Sequence, residues 1–283
     1  VMGRLKIVYP VCCGMDVHRD FLIACIAATN AQGVTEYQSR RFSTYTGSLR
    51  ELRDWLLAND CKDVCMESTG KYWFPVHNIL EESCHVVVSH PKFVKAIKGK
   101  KTDKKDAQWI ADLFKHDLVR GSFIPPKDIR QLRDLCRYWV KLSSYMTGEK
   151  NRAQNCLTVS NFKLDDVFSN VFGKSASAIT TQLLEHPGEQ FDVAPFVDGR
   201  CKTPIAQIQE AVDGIFTYEQ AEKLKIIRGH KDSLERHKAE LESLILEIAQ
   251  NYLPQIELLL TVHGIHDAFT AIRILAEIGA DMT

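Results

Sequence analysis

The first hundred residues alternate between short apolar runs and stretches of helical periodicity. Three of the apolar runs follow one another with only short polar breaks, which is typical of consecutive strands. The predicted strands are residues 11–18, 21–29, 34–42, 63–67 and 85–89. Apolar residues at helical spacing predict helices at 48–59 and 72–82, and a further helix is predicted to begin after Thr102 as its N-cap.

This order of elements predicts the fold class of the first part of the chain. Three strands followed by alternating helices and strands imply a mixed sheet flanked by helices. The order matches the ribonuclease-H-like arrangement, although other α/β folds share it. We therefore expect an α/β domain of the RNase-H-like class over residues 1–125.

After Pro125-Pro126 the pattern changes to long helices. One is predicted to run to about residue 157 and a second to span 218–252, joined through short helices and loops. The second helix carries a roughly heptad-spaced seam made of Leu224, Leu234, Leu241, Leu244 and Ile248, interrupted by Lys231 and Lys238. A helical hairpin or a short coiled coil is expected, packing within one chain or between two. We assign 126–255 as a mostly α-helical, coiled-coil-like dimerisation region.

The tail, residues 256–283, has apolar residues leading into Gly264 and then an Ala-rich helix that ends at Gly279. This pattern resembles half of a helix-hairpin-helix element, in which a turn presents backbone amides to a phosphate. An ordinary helical hairpin carries the same pattern. We expect the tail to be the opening of a truncated C-terminal domain.

Composition narrows the class of protein. The chain of 283 residues is 45% hydrophobic and 25% charged, which is typical of a globular protein and excludes wholesale disorder. It has no apolar run of the roughly 18 residues needed to cross a bilayer, so a membrane protein is excluded. Nine cysteines, an odd number scattered along the chain, favour reduced thiols in a cytoplasm over a disulfide framework.

Charge is balanced overall, with 36 basic and 36 acidic residues, but it is segregated along the chain. Residues 92–152 hold 16 Lys/Arg against 7 Asp/Glu, whereas 158–222 hold 4 against 10. Such asymmetry favours a localised polyanion site, although a solvated helical face shows it too. The candidate nucleic-acid-binding residues are Lys92, Lys95, Lys98, Lys100, Lys101, Lys104, Lys105, Arg120, Lys127, Arg130, Arg133 and Arg137.

Four carboxylates are placed by the predicted elements where they could meet. Asp16 ends the first strand, in GMDVH, and Glu67 ends the fourth, in CMESTG. Asp103 and Asp106 lie three residues apart at a helix start and therefore face the same way. If the first and fourth strands are neighbours, Asp16 and Glu67 lie side by side, and the start of the helix can close over them.

Grouped carboxylates repel one another unless cations neutralise them. Oxygen ligands suit Mg²⁺ (or Mn²⁺) rather than zinc, and two such ions about 4 Å apart can activate an attacking oxygen and stabilise a leaving one. Taken singly, Asp103 and Asp106 are explained as first-turn acids that complement the helix dipole, and Asp16 and Glu67 as surface residues. His18, two residues beyond Asp16, is either a group that supports the acids or faces the substrate, or a structural histidine.

The motifs GMDVH, MESTGKYW and KTDKKDA resemble, as a set, those of the DEDD transposases of the insertion-sequence one-ten family, also called bridge-RNA recombinases. The resemblance runs from about residue 11 to the C-terminus and is weakest over 160–217. It implies a RuvC-like domain in which Asp16, Glu67, Asp103 and Asp106 are the catalytic, metal-binding acids.

The same resemblance implies partners. A structured noncoding guide RNA would pair with both target and donor DNA, and the protein would assemble as a homodimer or a dimer of dimers, in a prokaryotic cytoplasm and at the nucleoid during activity. The family also has a C-terminal domain that supplies a serine nucleophile. This chain resembles only the opening of that domain, so no nucleophilic serine can be mapped, and we expect RNA and metal binding without complete strand exchange.

Three functions therefore stay open. The favoured one is an RNA-guided DNA transposase that cleaves and exchanges DNA strands. A metal-dependent, junction-resolvase-like nuclease, in which water attacks, needs only the acidic site. A non-catalytic nucleic-acid-binding module keeps the fold alone. The variant Asp16→Asn separates them, since both enzymes lose activity and the module is unchanged.

Overall fold

Five strands form one mixed sheet in the computed structural model, which describes residues 5–68, 70–94 and 102–280. The strands are β1 (Val11–Val17), β2 (Phe21–Thr29), β3 (Thr35–Ser43), β4 (Asp63–Glu67) and β5 (His85–Ser89). Their order across the sheet is β3-β2-β1-β4-β5, with β2 antiparallel to both neighbours and β1, β4 and β5 mutually parallel. The predicted ribonuclease-H-like arrangement is confirmed, including the adjacency of β1 and β4.

Helices cover both faces of this sheet. They are α1 (Thr46–Ala58), α2 (Trp73–Leu80), α3 (Pro91–Val94) and α4 (Asp103–Lys115). On one face, Met15 and its strand neighbours pack against the leucines of α1 and the apolar side of α2. On the other face, Cys12 and Cys65 pack against Phe114 and the apolar side of α4. Because side chains alternate along a strand, Asp16 shares the α4 face with Cys12, and Glu67 shares it with Cys65.

Gly14 lets α4 lie directly on β1. A Cβ atom built on this residue would overlap the backbone oxygen of Ala107 and the backbone nitrogen of Ala111. Both atoms belong to α4 and cannot move aside as a flexible side chain could. The missing side chain at Gly14 therefore sets the distance between the helix and the strand that carries Asp16.

The chain divides into two units, Val1–Ile124 and Pro125–Thr283. The second unit is helical: α5 (Lys127–Val159), α6 (Leu164–Val167), α7 (Lys174–Glu185), α8 (Ile205–Ala211), α9 (Tyr218–Ala249), α10 (Leu253–Leu260) and α11 (Ala268–Ile278), with short 3-10 helices at Ala194–Phe196 and Gln250–Tyr252. Helices α5 and α9 pack along one another, so the predicted seam is used within the chain.

The prediction is wrong for one residue of that seam. The side chain of Leu244 is 51% exposed, and the buried position is Ile245, which follows Leu241 by four residues. A helix repeats every 3.6 residues, so i+3 and i+4 both lie near the seam and only the neighbouring helix decides between them. The two lysines in the seam are accommodated differently. Lys238 lies over the ring of Trp139, 4.0 Å from its centroid, and Lys231, whose side chain is largely covered, pairs with Glu235 at 2.7 Å.

The tail belongs to the second unit. Ile256 of α10 and Ile272 of α11 are buried in the core that α5 and α9 also line. The turn between these helices includes Gly264, whose φ of 97° lies in the left-handed region. Asp267 caps α11 by accepting a hydrogen bond from the backbone of Thr270 at 2.8 Å. Residues 256–280 thus form a helical hairpin.

The structure bears on the predictions about membrane-spanning helices and disulfide bonds. Among the described residues, none of the helices is both long and apolar enough to span a membrane. All nine cysteines are free thiols, and eight of them are buried. Burial raises the pKa of the Cys65 thiol to about 12, as expected for a cysteine packed in the core.

The role of Gly14 predicts a large cost for the smallest possible side chain. Gly14→Ala should lower the free energy of unfolding by about 1–3 kcal/mol, because α4 must move off the sheet to make room. Gly47→Ala is the matched control, since a Cβ atom there meets nothing within 4 Å. Urea denaturation followed by circular dichroism measures both, and equal midpoints for the two variants would contradict this account of the packing.

Candidate metal centre

Asp16 and Glu67 lie at the carboxyl ends of adjacent parallel strands. Met15 of β1 is in register with Met66 of β4, so the next residue on each strand is one of the two acids. Neighbouring strands are about 4.8 Å apart, and both side chains face α4. Sheet register therefore brings together two acids that are 51 positions apart in the sequence.

Helix α4 supplies the other two acids. Thr102 precedes it in extended conformation, and its side chain accepts a hydrogen bond from the backbone nitrogen of Lys105, which confirms the predicted N-cap. The cap fixes where the helix begins, and so places Asp103 and Asp106 in its first turn. Asp103 is exposed and Asp106 is half-buried.

The predicted acids converge on Asp16. Burial raises the pKa of the Asp16 carboxyl above its usual 3.8, and the negative charges of Asp103, Asp106 and Glu67 raise it further, whereas His18 lowers it. All three other acids are thus close enough for their charges to oppose ionisation of Asp16. A divalent cation bound among the acids would attract the carboxylates and favour the ionised form of Asp16.

His18, whose role the sequence left open, lies between two of the acids, Asp16 and Asp103. His18 Nε2 lies 3.2 Å from Asp16 Oδ2 and 3.7 Å from Asp103 Oδ1. Among the described residues, Asp16, His18 and Asp103 form the group whose possible ligand atoms all lie within 4.8 Å of one another. The signal in the sequence was the spacing: His18 follows Asp16 by two residues, which puts both on one side of an extended chain.

The donor set fits a hard divalent cation. It offers carboxylate oxygens from two strands and a helix, together with one imidazole nitrogen. Carboxylates suit Mg²⁺ and Mn²⁺, and imidazole is compatible with Mn²⁺. Of the four predicted acids, Asp16 and Asp103 thus lie within reach of one ion together with His18, whereas the site made of all four acids stays a prediction.

A family comparison decides the relationship of this chain. A model of the transposase family DEDD Tnp IS110 matches residues 13–161, which include Asp16, Glu67, Asp103 and Asp106. The chain belongs to this family. The resemblance seen in the three sequence motifs is confirmed, and the chain is related to enzymes that act on DNA.

Solved structures give distant similarities. RuvC of Thermus thermophilus is 14% identical over 40% of this chain and 99% of its own, with a TM-score of 0.33. The same RuvC in complex with a Holliday junction substrate is 13% identical over 40% of this chain and 99% of its own, with a TM-score of 0.30. A Fowlpox virus resolvase in complex with its Holliday junction DNA is 14% identical over 37% of this chain and 72% of its own, with a TM-score of 0.25. No curated protein matches the chain.

Among the described residues of the first unit, four basic candidates of this member of the DEDD transposase family are exposed, and two of them adjoin the acids. Lys104 and Lys105 are exposed and follow Asp103 directly on α4. Lys92 on α3 is exposed as well, and so is Arg120, whose guanidinium lies 5.8 Å from the ring centroid of Phe93. The candidates outside the described residues are Lys95, Lys98, Lys100 and Lys101.

The basic candidates on α5 differ in their surroundings. Lys127 is exposed, whereas Arg130 is half-buried and donates to the carbonyl oxygen of Pro125 at 2.9 Å. Arg130 therefore also secures the start of its own helix.

Two further arginines of α5 hold α11. Arg133 donates to the carbonyl oxygens of Ala276 at 2.8 Å and Glu277 at 3.0 Å, which closes the last turn of that helix. Arg137 makes a two-pronged ion pair with the Glu277 carboxylate, at 2.8 and 2.7 Å, and this pair lowers the pKa of Glu277. The structure thus gives Arg133 and Arg137 an intramolecular role that the charge pattern did not indicate.

The raised pKa of the Asp16 carboxyl predicts how the free energy of unfolding depends on pH in the absence of metal. A carboxyl whose pKa is raised by folding costs stability as pH rises from its usual 3.8 through the raised value, and the full cost is present at neutral pH. Asp16→Asn should therefore melt at a higher temperature than the unsubstituted chain at pH 7 in chelator. The difference should shrink towards zero as pH falls below 3.8.

The exposed neighbour Asp20 provides the control. Asp20→Asn should not reproduce the gain, and scanning calorimetry across pH measures all three proteins. An Asp16→Asn chain that is less stable than the unsubstituted chain at pH 7 in chelator would contradict the raised pKa of Asp16.

Proposed function

We propose that this chain is the DEDD part of an RNA-guided DNA transposase, or recombinase, that cleaves and exchanges DNA strands during insertion-sequence transposition. The observation that carries the proposal is the convergence of Asp16, His18 and Asp103 within 4.8 Å, with Glu67 and Asp106 close enough to act on Asp16. Membership of the transposase family supplies the substrate class, which is DNA.

The four acids would hold Mg²⁺ (or Mn²⁺) at the carboxyl edge of the sheet. A bound divalent ion supplies charge stabilisation to a phosphate under attack. Asp16 is largely covered, with 15% of its side chain exposed, and so sits at the base of the site. Asp103 is 51% exposed and stands at the solvent side, where a DNA backbone can reach. This difference gives the site an inner and an outer ligand.

Exposed lysines would hold the nucleic acid. Lys104 and Lys105 lie on the turn that carries Asp103, so a phosphate beside the acids is within reach of an ammonium group. Lys92 and Arg120 extend the basic character of the same unit. The cations would also offset the repulsion between phosphate and carboxylates.

Family membership supports the remaining parts of the proposal. They are a structured noncoding RNA that pairs with target and donor DNA, a serine nucleophile supplied by the C-terminal domain that the resemblance implies, and assembly as a homodimer or a dimer of dimers. The helical unit is the proposed dimerisation region, although α5 and α9 already use their principal seam on each other.

Metal binding tests the acidic site directly. Mn²⁺ or Mg²⁺ at a hundredfold excess over its dissociation constant should stabilise the chain by about 2.7 kcal/mol, because the ion binds the folded site alone. Asp16→Asn should lose most of this gain, whereas Asp20→Asn should keep it. Thermal unfolding in metal and in chelator gives both values, and equal stabilisation of all three chains would refute the site.

The guide RNA is tested by titrating the purified chain with the noncoding RNA that flanks its own gene, against a scrambled RNA, over a salt series. We expect tighter binding to the genuine RNA, which weakens as salt rises. Replacing Lys104 and Lys105 by Ala should reduce the slope of log affinity against log salt concentration by about 1.4–1.8. Replacing the exposed Lys62, at the other end of β4, by Ala is the control and should leave the slope unchanged.

Equal binding to both RNAs would count against guidance. Metal-dependent cleavage of a four-way DNA junction in the absence of RNA, lost in Asp16→Asn, would instead establish a junction-resolvase-like nuclease. Nucleic-acid binding that is unchanged by Asp16→Asn, without cleavage in any assay, would leave the non-catalytic module.

A further inference from the structure

We propose that His18 is itself a ligand of the divalent ion, through Nε2, and that it makes this site prefer Mn²⁺ over Mg²⁺. The inference rests on the proposed function, since it concerns the ion of the same acidic site. It assigns a role to a residue that lies outside the four acids of the motif.

The spacing of the three ligand atoms matches that around one ion. His18 Nε2 is 3.2 Å from Asp16 Oδ2 and 3.7 Å from Asp103 Oδ1. Two ligands about 2.1 Å from an octahedral ion lie about 3 Å apart when adjacent and about 4.2 Å apart when opposite. The set, in which all atoms lie within 4.8 Å, therefore needs only small movements to surround one cation.

The backbone and a neighbouring ring orient His18 towards the acids. Its backbone N–H donates to the carbonyl oxygen of Phe21 at 2.9 Å, which closes the turn between β1 and β2. Its imidazole packs against the Phe21 ring, with 4.7 Å between the centroids. Nε2 thus faces Asp16 and Asp103 before any ion binds, so little side-chain freedom is lost on binding.

The chemistry of the nitrogen sets the preference. Mg²⁺ is held by carboxylates, phosphates and water in near-ideal octahedral geometry. Imidazole is a better ligand for first-row transition metals, and Mn²⁺ accepts carboxylate and imidazole together. An imidazole nitrogen from His18 in place of an oxygen ligand therefore weakens the binding of Mg²⁺ relative to that of Mn²⁺. The acids alone would discriminate little between the two ions.

The experiment compares the full chain with His18→Ala, His18→Asn and a matched control, His85→Ala. His85 forms a similar pair with a carboxylate, since its Nδ1 is 2.9 Å from Asp63 Oδ1. That pair lies at the amino ends of β4 and β5, the opposite edge of the sheet from Glu67. Electron spin-echo spectroscopy of the Mn²⁺-loaded proteins detects a bound ¹⁴N, and calorimetry gives dissociation constants for Mn²⁺ and Mg²⁺.

The unsubstituted chain and His85→Ala should show ¹⁴N coupling to Mn²⁺, and both His18 variants should lack it. The ratio of the Mg²⁺ to the Mn²⁺ dissociation constant should fall about tenfold or more in the His18 variants, because loss of the imidazole weakens Mn²⁺ binding, and the loss even of a group that only orients a ligand costs about 10–100-fold in metal affinity. Absence of ¹⁴N coupling in the unsubstituted chain overturns the inference, and it does so even if a variant fails to fold. An unchanged ratio in folded His18 variants overturns it too.

Failure of this inference is distinct from failure of the proposed function. If Asp16→Asn loses metal while the His18 variants keep full Mn²⁺ preference, the acidic site stands and only the role of His18 is refuted. If Asp16→Asn binds metal as well as the unsubstituted chain does, the proposed function fails first.

Discussion

The contact between α4 and the bare backbone of Gly14 is the constraint on which the candidate centre depends. It brings the first turn of the helix over the carboxyl ends of β1 and β4, because no side chain separates helix from strand. The Thr102 cap then fixes which residues that turn contains. The distance between α4 and β1 and the residue at which α4 begins together determine where Asp103 and Asp106 lie relative to Asp16. Asp16 itself could not move without disturbing the middle of the sheet.

This packing creates an electrostatic conflict that the apolar core has to outweigh. Asp16 is largely buried, and three other carboxylates raise its pKa further. His18 offsets part of this repulsion, and a divalent cation bound among the carboxylates would offset more of it. Under the proposed function, ions held at this site would stabilise the charge on a DNA phosphate under attack.

The basic residues of one stretch of the sequence lie in two kinds of surroundings. Lys104 and Lys105 remain exposed beside the acids, where they can meet a polyanion. Arg133 and Arg137 instead tie the end of α11 to α5 through carbonyl oxygens and a carboxylate. Both sets lie in the same basic stretch of sequence. The difference arises because guanidinium groups can satisfy a helix C-terminus wherever the tertiary fold brings one within reach.

The sequence by itself determined the elements and the acids. Local periodicity marks the five strands and the longer helices, and the three motifs mark the family, so the mixed sheet, the Thr102 cap and the four carboxylates could be predicted, whereas the short helices between residues 160 and 217 could not be placed. Only the tertiary structure decided that His18 touches Asp103, 85 positions away, and that Ile245 rather than Leu244 enters the core. Periodicity reports which side of an element is apolar, but contacts across the fold depend on register and helix packing, which no local pattern encodes.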